Sequence, residues 1–279
     1  MTTWGEAADR WLEVNPQLSK AWRVKMAQYI GRLRRWIGDL PVDQVHAGQL
    51  QQARAKLLAM DIKPVTVNHY MACALTVLRS AVDFGEISRV PRIRKLRTET
   101  RERWLEPEEA QRLLAALPDY MRQMALFALE TGLRRGNVCR LRWEHVNWSR
   151  SLVALPSSLM KNRRPLWIPL SPGALAVLQA QRGQHDEWVF TWRGAPLAVR
   201  LPRTWSRALA TAGLQDLRWH DLRHTWASWQ TQDGVPDNAL QTLGGWECPA
   251  MVKRYAHHSV EHLRPWVQRQ RRLQLPMAA

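Results

Sequence analysis

The stretch from His220 to Tyr255 reads HDLRHTWASWQTQDGVPDNALQTLGGWECPAMVKRY, and the rest of the chain is interpreted around it. His220 and Arg223 are three residues apart, which places an imidazole and a guanidinium on one face of a helix. The stretch ends at Tyr255, among basic residues. A phenol has a pKa of about 10, so at neutral pH it attacks only where nearby donors stabilise its anion. The pattern therefore predicts a phosphate-binding pair with a proton carrier beside a tyrosine.

Two further candidate residues lie upstream of this stretch. Arg134 closes a Thr-Gly-Leu-Arg sequence, and the glycine predicts a helix end at Gly132 that lets the arginine turn into a cleft. A guanidinium fork suits bidentate phosphate binding. Lys161 lies between two apolar extended segments and is the sole lysine between Lys95 and Lys253. A lysine carries a transferable proton, which arginine does not. The alternative for Arg134 is an ordinary surface arginine, and the alternative for Lys161 is a solvated hairpin tip.

The periodicity of the C-terminal half, residues 104–279, is mostly helical. Apolar residues at helical spacing predict helices at 107–116, 119–130, 172–182, 203–212, 220–233, 237–243 and 249–256, with one more short turn at 137–143. The apolar segments 151–156 and 166–170 are typical of strands and predict a small antiparallel sheet around Lys161. After Tyr255, apolar residues at helical spacing predict a helical tail. They are Val260, Leu263, Trp266 and Val267.

The first 88 residues predict a small all-α domain of four helices. Apolar spacing and the punctuation between the segments place these helices at 4–14, 19–37, about 47–60 and 66–84. The second helix is amphipathic and strongly basic. The fold class expected for the whole chain is therefore mostly α, with an N-terminal four-helix domain and a mainly helical second domain that contains a small antiparallel β-sheet.

Residues 89–103 predict a basic linker between the two domains. The segment contains seven basic residues and no apolar periodicity. Its basic residues are Arg89, Arg92, Arg94, Lys95, Arg97, Arg101 and Arg103. Such a linker suits two domains that close around DNA, because each basic side chain can neutralise a phosphate. An exposed hinge whose charges have no specific role is the other interpretation.

Composition narrows the class of partner. The 279 residues carry a formal charge of +17, a pI near 11.0 and 46% hydrophobic residues, so a folded protein that binds a polyanion is expected, with nucleic acid as the leading candidate. Three isolated cysteines fit neither a disulfide framework nor a paired-cysteine metal site. The sequence has neither a signal peptide nor an apolar run of membrane-spanning length. We therefore expect a cytoplasmic protein without a membrane partner.

Five sequence features in order resemble the active-site signature of the tyrosine recombinases, the phage integrase family. Thr-Gly-Leu-Arg134 resembles the first arginine box, and Lys161 lies where the family has a hairpin lysine. His220-Asp-Leu-Arg223 resembles the His-x-x-Arg box. Trp246 and Tyr255 are nine residues apart, the spacing that the family has between its second His/Trp position and the nucleophile. The N-terminal helices resemble the family's core DNA-binding domain.

The resemblance implies the chemistry and the role of each residue. Tyr255 would attack the scissile phosphate and hold a 3′-phosphotyrosine bond while a 5′-hydroxyl departs. Arg134, Arg223 and Trp246 would stabilise the charge of the pentavalent phosphate, and His220 and Lys161 would be the acid and base candidates. Neither a cofactor nor a metal is expected, because guanidinium groups supply the positive charge.

Three polar positions have less certain roles. His220 and His224 are four residues apart, which favours a zinc site only weakly because a third ligand is missing, so His224 is interpreted as a structural or supporting residue. Asp221 either caps the helix or orients a neighbour, and both roles stay open. Asn137 departs from the family, which commonly has an acidic residue at this position.

The expected function is site-specific recombination of double-stranded DNA, with specific recombination sites as substrate. The resemblance implies a homotetramer on DNA and accessory DNA-bending or directionality proteins as partners. Two alternatives are a type IB topoisomerase that relaxes DNA with the same chemistry, and a DNA-binding regulator that keeps the fold without turnover. Relaxation of a plasmid that lacks target sites would favour the first, and failure to form any covalent adduct would favour the second.

Overall fold

A computed structural model describes residues 1–98, 103–160, 162–197 and 202–255 of the chain, with the side chains of Pro202 and Arg254 not considered. Lys161, part of the predicted linker and the predicted tail lie outside the described residues. The chain divides into two compact units, residues 1–101 and 102–279. The domain boundaries at 88 and 104 stay a prediction.

The N-terminal unit is built from four helices: α1 (Trp4–Glu13), α2 (Lys20–Ile37), α3 (Ala47–Ala59) and α4 (Pro64–Asp83). A capping box formed by Thr3 and Glu6 begins α1, and Pro64 begins α4, where its missing N–H costs no helical hydrogen bond. The apolar faces of the helices meet in one core, which includes Trp4, Leu33 and Leu78. The predicted four-helix unit is therefore confirmed.

The described part of the predicted linker packs on this first unit. Val90, Ile93 and Leu96 lie against the core of the four helices. Asn68 of α4 holds Leu96 through two hydrogen bonds: its Nδ2 donates to the carbonyl oxygen at 3.0 Å, and its Oδ1 accepts from the N–H at 2.9 Å. Residues 91–98 are therefore fixed in place although they form neither helix nor strand.

The second unit is mainly helical with a small sheet. Its helices are α5 (Pro107–Ala116), α6 (Asp119–Thr131), α7 (Arg135–Cys139), α8 (Pro172–Gln181), α9 (Pro202–Thr211), α10 (Asp221–Gln232), α11 (Asp237–Gly244) and α12 (Pro249–Val252). Strands β1 (Val146–Asn147), β2 (Leu152–Leu155) and β3 (Leu166–Pro169) form an antiparallel sheet in the order β1-β2-β3, and β4 (Thr191–Trp192) pairs with β5 (Ala195–Pro196). The predicted mostly α fold with a small antiparallel sheet is confirmed.

The differences from the predicted elements are local. The prediction lacked β1 and the β4–β5 pair, whose two-residue strands are too short to show an alternating pattern. The short helix predicted at 137–143 begins earlier, at Arg135. The last predicted helix tightens into a 3₁₀ turn at Lys253–Tyr255, as helices often do at their ends. Among the described residues, no helix has the length and apolar character needed to cross a membrane.

Candidate active site

The candidate site lies around helix α10, which brings several separate segments together. Its first turn carries His220 and Arg223. The end of α6, the start of α7, the end of α11 and the 3₁₀ turn with Tyr255 lie around it. Arg134, His220, Arg223, Trp246 and Tyr255 therefore belong to one neighbourhood.

Arg223 ties two helix ends to α10. Its side chain is buried, with 3% of the residue exposed. One terminal nitrogen donates to the carbonyl oxygen of Gly132 at 2.8 Å, and the other donates to the carbonyl oxygen of Gly244 at 2.5 Å. Both carbonyls lie at helix C-termini, where they lack partners within the helix. The guanidinium therefore fixes the backbone two residues before Arg134 and two residues before Trp246.

Two glycines make room for the tryptophans of the site. Gly132 ends α6 with a φ of 62°, and a Cβ atom there would lie 2.1 Å from the indole of Trp226. A Cβ atom on Gly244 would lie 2.1 Å from the indole of Trp246. Each tryptophan therefore packs directly on the backbone of a helix end. The predicted helix end at Gly132 agrees with this arrangement.

Trp246 links the guanidinium to the phenol. The Arg223 Cζ lies 4.4 Å from the centroid of the Trp246 ring, a cation–π arrangement, and the centroids of the Trp246 and Tyr255 rings are 5.2 Å apart. Trp226 lies 6.1 Å from Trp246. These rings belong to a small apolar cluster with Leu240, which excludes water from one side of the phenol.

Tyr255 is almost fully buried, with 7% of the residue exposed. The ring of His224 lies on it at a centroid distance of 5.3 Å. His220 in turn meets His224 edge to face, at 5.0 Å and an interplanar angle of 86°. His220, His224 and Tyr255 therefore form a continuous row of rings, with Trp246 after the phenol.

The surroundings of His220 keep it neutral. The residue presents an exposed surface, yet the protein packed around its ring lowers its pKa to about 4. Desolvation is the largest cause, and the charges of His224, Arg223 and Arg134 add to it, whereas Asp221 acts in the opposite direction. At neutral pH the free protein therefore presents an uncharged imidazole here. An anion bound among these groups would raise the pKa again.

Arg134 lies at the N-terminal end of α7 and is half-buried. It is close enough to His220 and Arg223 to lower the pKa of both groups. Burial is the larger cause of the lowered pKa of Arg223, and Tyr255 acts in the opposite direction. Two arginines that repel each other in this way form a site that favours an anion between them.

The structure describes the neighbour of Lys161 but not Lys161 itself. Met160 is buried, and its sulfur accepts a hydrogen bond from the Nδ2 of Asn137 at 3.4 Å. Its Cε atom would lie 3.5 Å from a Cβ atom on Gly245. The segment that leads into Lys161 therefore lies against the start of α7 and the end of α11. Asn137 is a buried amide that contacts this segment, which a carboxylate at the same position would do poorly.

Several residues have supporting roles around α10: Thr225, Trp229 and Leu105 were absent from the sequence interpretation, whereas Asp221 was named there with its role open. The Thr225 hydroxyl accepts from the Leu105 N–H at 2.9 Å, and the Trp229 indole donates to the Leu105 carbonyl oxygen at 3.0 Å, so α10 holds both backbone groups of one residue. Asp221 accepts from the Arg218 N–H at 2.7 Å and fixes the turn that precedes α10. Only a buried hydroxyl on an otherwise predicted helix could have indicated these contacts.

The described side chains do not group as metal ligands. Within the described ranges, no group of three or more His, Cys, Asp or Glu side chains is arranged to hold a metal ion. The three free cysteines are Cys73, Cys139 and Cys248. Burial raises the pKa of the Cys73 and Cys139 thiols to about 12 and about 11.

Comparison with known proteins gives the relatives of this chain. The model of the phage integrase family matches residues 103–262. The integrase of Salmonella phage P22 is 38% identical over 195 residues, which cover 65% of this chain and 49% of that protein. This chain thus spans about half the length of that relative. The resemblance drawn from the sequence features is confirmed.

Solved structures share the fold. A lambda integrase (75–356) dimer bound to a COC′ core site matches with a TM-score of 0.79 and 19% identity, covering 98% of this chain and 99% of the other. A lambda integrase tetramer bound to a Holliday junction matches with a TM-score of 0.76 and 20% identity, covering 91% of this chain and 77% of the other. At this level of identity, the likeness concerns the fold.

Proposed function

We propose that this chain, which belongs to the phage integrase family, is a site-specific recombinase that cleaves and rejoins double-stranded DNA through a covalent 3′-phosphotyrosine intermediate. The observation that supports it most strongly is the cluster of Tyr255, Trp246, Arg223 and His220, which come from three separate segments. A phenol, a positive charge and an imidazole are the groups that attack on a phosphodiester requires.

The phosphate would be bound by Arg134 and Arg223. A guanidinium carries five N–H donors, so the two bonds from Arg223 to backbone carbonyls leave donors for a phosphate oxygen. Those bonds also hold the side chain before the substrate arrives. Pre-organised donors stabilise developing charge without reorganisation during the reaction. Trp246 would place its indole N–H, a donor only, near the same phosphate.

The reaction would exchange one phosphodiester for another. The phenol oxygen of Tyr255 forms a bond to phosphorus while the bond from phosphorus to the 5′ oxygen breaks, and a proton passes to the leaving 5′ oxygen. We assign that proton to Lys161, with His220 as the other candidate. Rejoining reverses each step, so bond energy is conserved and no nucleotide cofactor is consumed.

The first unit would supply DNA affinity. Helix α2 carries six basic residues and no acidic one, and five of the six are exposed. They are Lys20, Arg23, Lys25, Arg34 and Arg35, with Arg32 half-buried. Lysine and arginine release condensed counterions when they neutralise phosphates, so binding should weaken steeply with salt.

We further propose a homotetramer on DNA as the active assembly, with accessory DNA-bending or directionality proteins as additional partners. The support is the lambda integrase tetramer on a Holliday junction, which has the same fold. Recombination of two duplexes requires four strand cleavages, which four copies of one nucleophile can perform.

The experiment that tests the function starts from the DNA that the protein captures. Covalent complexes trapped in cells should map to one defined sequence, and two copies of that sequence on a plasmid should recombine with purified protein. Relaxation of a plasmid without the sequence, at the same rate as one with it, would replace the proposal by a topoisomerase. Binding without any covalent capture would replace it by a regulator.

A further inference from the structure

We infer that His224 accepts the phenol proton of Tyr255 during cleavage and returns it during rejoining. The inference rests on the proposed function and names a further catalytic residue of the same site. The sequence features name His220 and Lys161 as acid and base candidates without saying which group takes the phenol proton, and a phenol with a pKa of about 10 is protonated at neutral pH.

The position of His224 supports this role. Its ring lies next to the phenol, with centroids 5.3 Å apart, and the ring of His220 lies 5.0 Å from that of His224. His224 is half-buried, and Tyr255 beside it belongs to the apolar cluster with Trp246 and Leu240. Proton transfer requires hydrogen-bond reach between the two polar atoms, directly or through one water, and such contacts often tighten only when the substrate binds.

Two other described groups at the phenol, Trp246 and Arg223, cannot accept a proton. The indole of Trp246, at 5.2 Å from the phenol ring, is a donor only. Arg223 is a cation with donors only, and it affects Tyr255 electrostatically. An imidazole has a nitrogen lone pair when it is neutral. His224 therefore differs in kind from Trp246 and Arg223.

His220 is poorly suited to accept the phenol proton. Burial and the charges of Arg223 and Arg134 lower its pKa to about 4, so it holds a proton weakly in the free protein. Among the described residues, the charged and titratable groups that act on this neighbourhood are His220, Asp221, Arg223, Arg134 and Tyr255. His220 is better suited to contact the phosphate or the leaving oxygen, which agrees with its place farther from the phenol.

The O–H bond of Tyr255 breaks and its proton moves to a ring nitrogen of neutral His224, while the phenolate oxygen bonds to phosphorus. The bond to the 5′ oxygen breaks, and that oxygen takes a proton from Lys161 or His220. In rejoining, the 5′ oxygen bonds to phosphorus and its hydroxyl proton returns to Lys161 or His220, while the phosphotyrosine bond breaks and the imidazolium of His224 returns its proton to the phenolate.

The test measures adduct formation by the full chain on a nicked duplex that carries the mapped site, in single-turnover reactions across about pH 5.5 to 9. Wild-type rates should rise with pH as the accepting imidazole loses its proton. His224→Gln should lower the rate by about 10²-fold or more at pH 7 and lose this rise. His185→Gln, in the same unit but distant along the chain from the site residues, is the matched control.

Two further measurements separate proton transfer from a structural role. His224→Ala leaves space for a small base, so added imidazole should restore part of the rate. A 5′-thiol leaving group needs little protonation, so it should not rescue His224→Gln. DNA binding by both variants shows that they are folded.

Three results would overturn the inference: a wild-type pH profile for His224→Gln, no response of DNA-binding His224→Ala to imidazole, or rescue by the thiol. Absence of any adduct with wild-type protein would instead overturn the proposed function, and the inference with it.

Discussion

Helices α4 and α10 each bury one face in the core of their own unit, but they bury different chemistry. The buried face of α4 is apolar apart from Ser80. The buried face of α10 includes Asp221, Arg223, Thr225, Ser228 and Thr231. These five are half of the ten buried polar or charged side chains in the described parts of the chain. Burial of polar groups costs free energy unless they are hydrogen-bonded. The buried face of α10 therefore needs hydrogen-bond partners, whereas the mainly apolar buried face of α4 does not.

Several of these buried α10 side chains form hydrogen bonds with backbone groups. Arg223 donates to two carbonyls, Thr225 bonds to Leu105 and to the Asp221 carbonyl, and Thr231 donates to the Ala227 carbonyl at 2.9 Å. Backbone partners do not titrate and move little. Helix α4 therefore holds its unit together, whereas α10 holds neighbouring segments in the register that the chemistry needs.

The largest effect is expected for Arg223→Ala. It removes the partner that Arg223 gives to the Gly132 and Gly244 carbonyls, at a cost of roughly 1–3 kcal/mol each, and it removes the proposed phosphate donor, so single-turnover cleavage should fall by about 10²–10³-fold. Leu78→Ala on α4 is the contrast: it should destabilise folding by about 2–5 kcal/mol and leave the rate at saturating DNA unchanged. A wild-type cleavage rate for Arg223→Ala would contradict the role of α10 in positioning the site.

Gly132→Ala should have the next largest effect, on stability. The residue has a φ of 62°, which costs about 1–2 kcal/mol for alanine, and the new Cβ meets Trp226 of α10, which adds about 1–3 kcal/mol. Gly183→Ala is the matched control, because its φ is 82° but a Cβ there has no neighbour within 4 Å. Urea unfolding should show the larger loss for Gly132→Ala; equal losses would mean that the Trp226 contact contributes nothing.

A smaller effect concerns the pH dependence of stability. The pKa of His220 is about 4 in the folded protein and about 6.5 for an ordinary histidine, so the unfolded chain binds the proton more readily. Its contribution to stability is therefore present above pH ~6.5 and is lost as the pH falls from there towards 4. Unfolding of His220→Gln should depend less on pH in this window. Parallel curves for the two proteins would show that His220 is not held neutral.

The smallest effect is expected for Asn68→Ala on α4. Loss of its two bonds to Leu96 should cost about 1–2 kcal/mol locally and expose the backbone after Lys95 and Arg97 to trypsin. Cleavage of a saturating DNA substrate should not change, because the bonds lie outside the second unit. Limited proteolysis with and without DNA checks this. A slower DNA cleavage rate at unchanged trypsin sensitivity would contradict the assignment of α4 to structure alone.

The helices followed from the sequence because their apolar residues repeat at helical spacing and their ends carry local signals. Pro107 begins α5 and Gly132 ends α6, and both are visible in the chain. The candidate residues also followed from the sequence, because their spacing resembles that of a known family. The bond between Arg223 and Gly132 did not, since it joins residues 91 positions apart.

The packing of residues 91–98 on the first unit is a second feature that the sequence pattern could not predict. The predicted linker has no periodicity because Val90, Ile93 and Leu96 contact the core from an irregular segment. A pattern search finds apolar residues on regular elements and misses those that an irregular backbone turns inward. The row of rings from His220 to Tyr255 was missed for a related reason, since its order depends on how the last 3₁₀ turn packs against α10.

The most direct test of the proposed mechanism is to identify the residue that becomes covalently joined to DNA. Wild-type protein on a nicked target duplex should form one covalent adduct, in the presence of a chelator because arginines supply the positive charge, and peptide mapping should locate it at Tyr255. Tyr255→Phe removes one oxygen and little volume, so it should bind the duplex with wild-type affinity and form no adduct. An adduct on another residue, or one that forms only with a divalent metal, would contradict the mechanism.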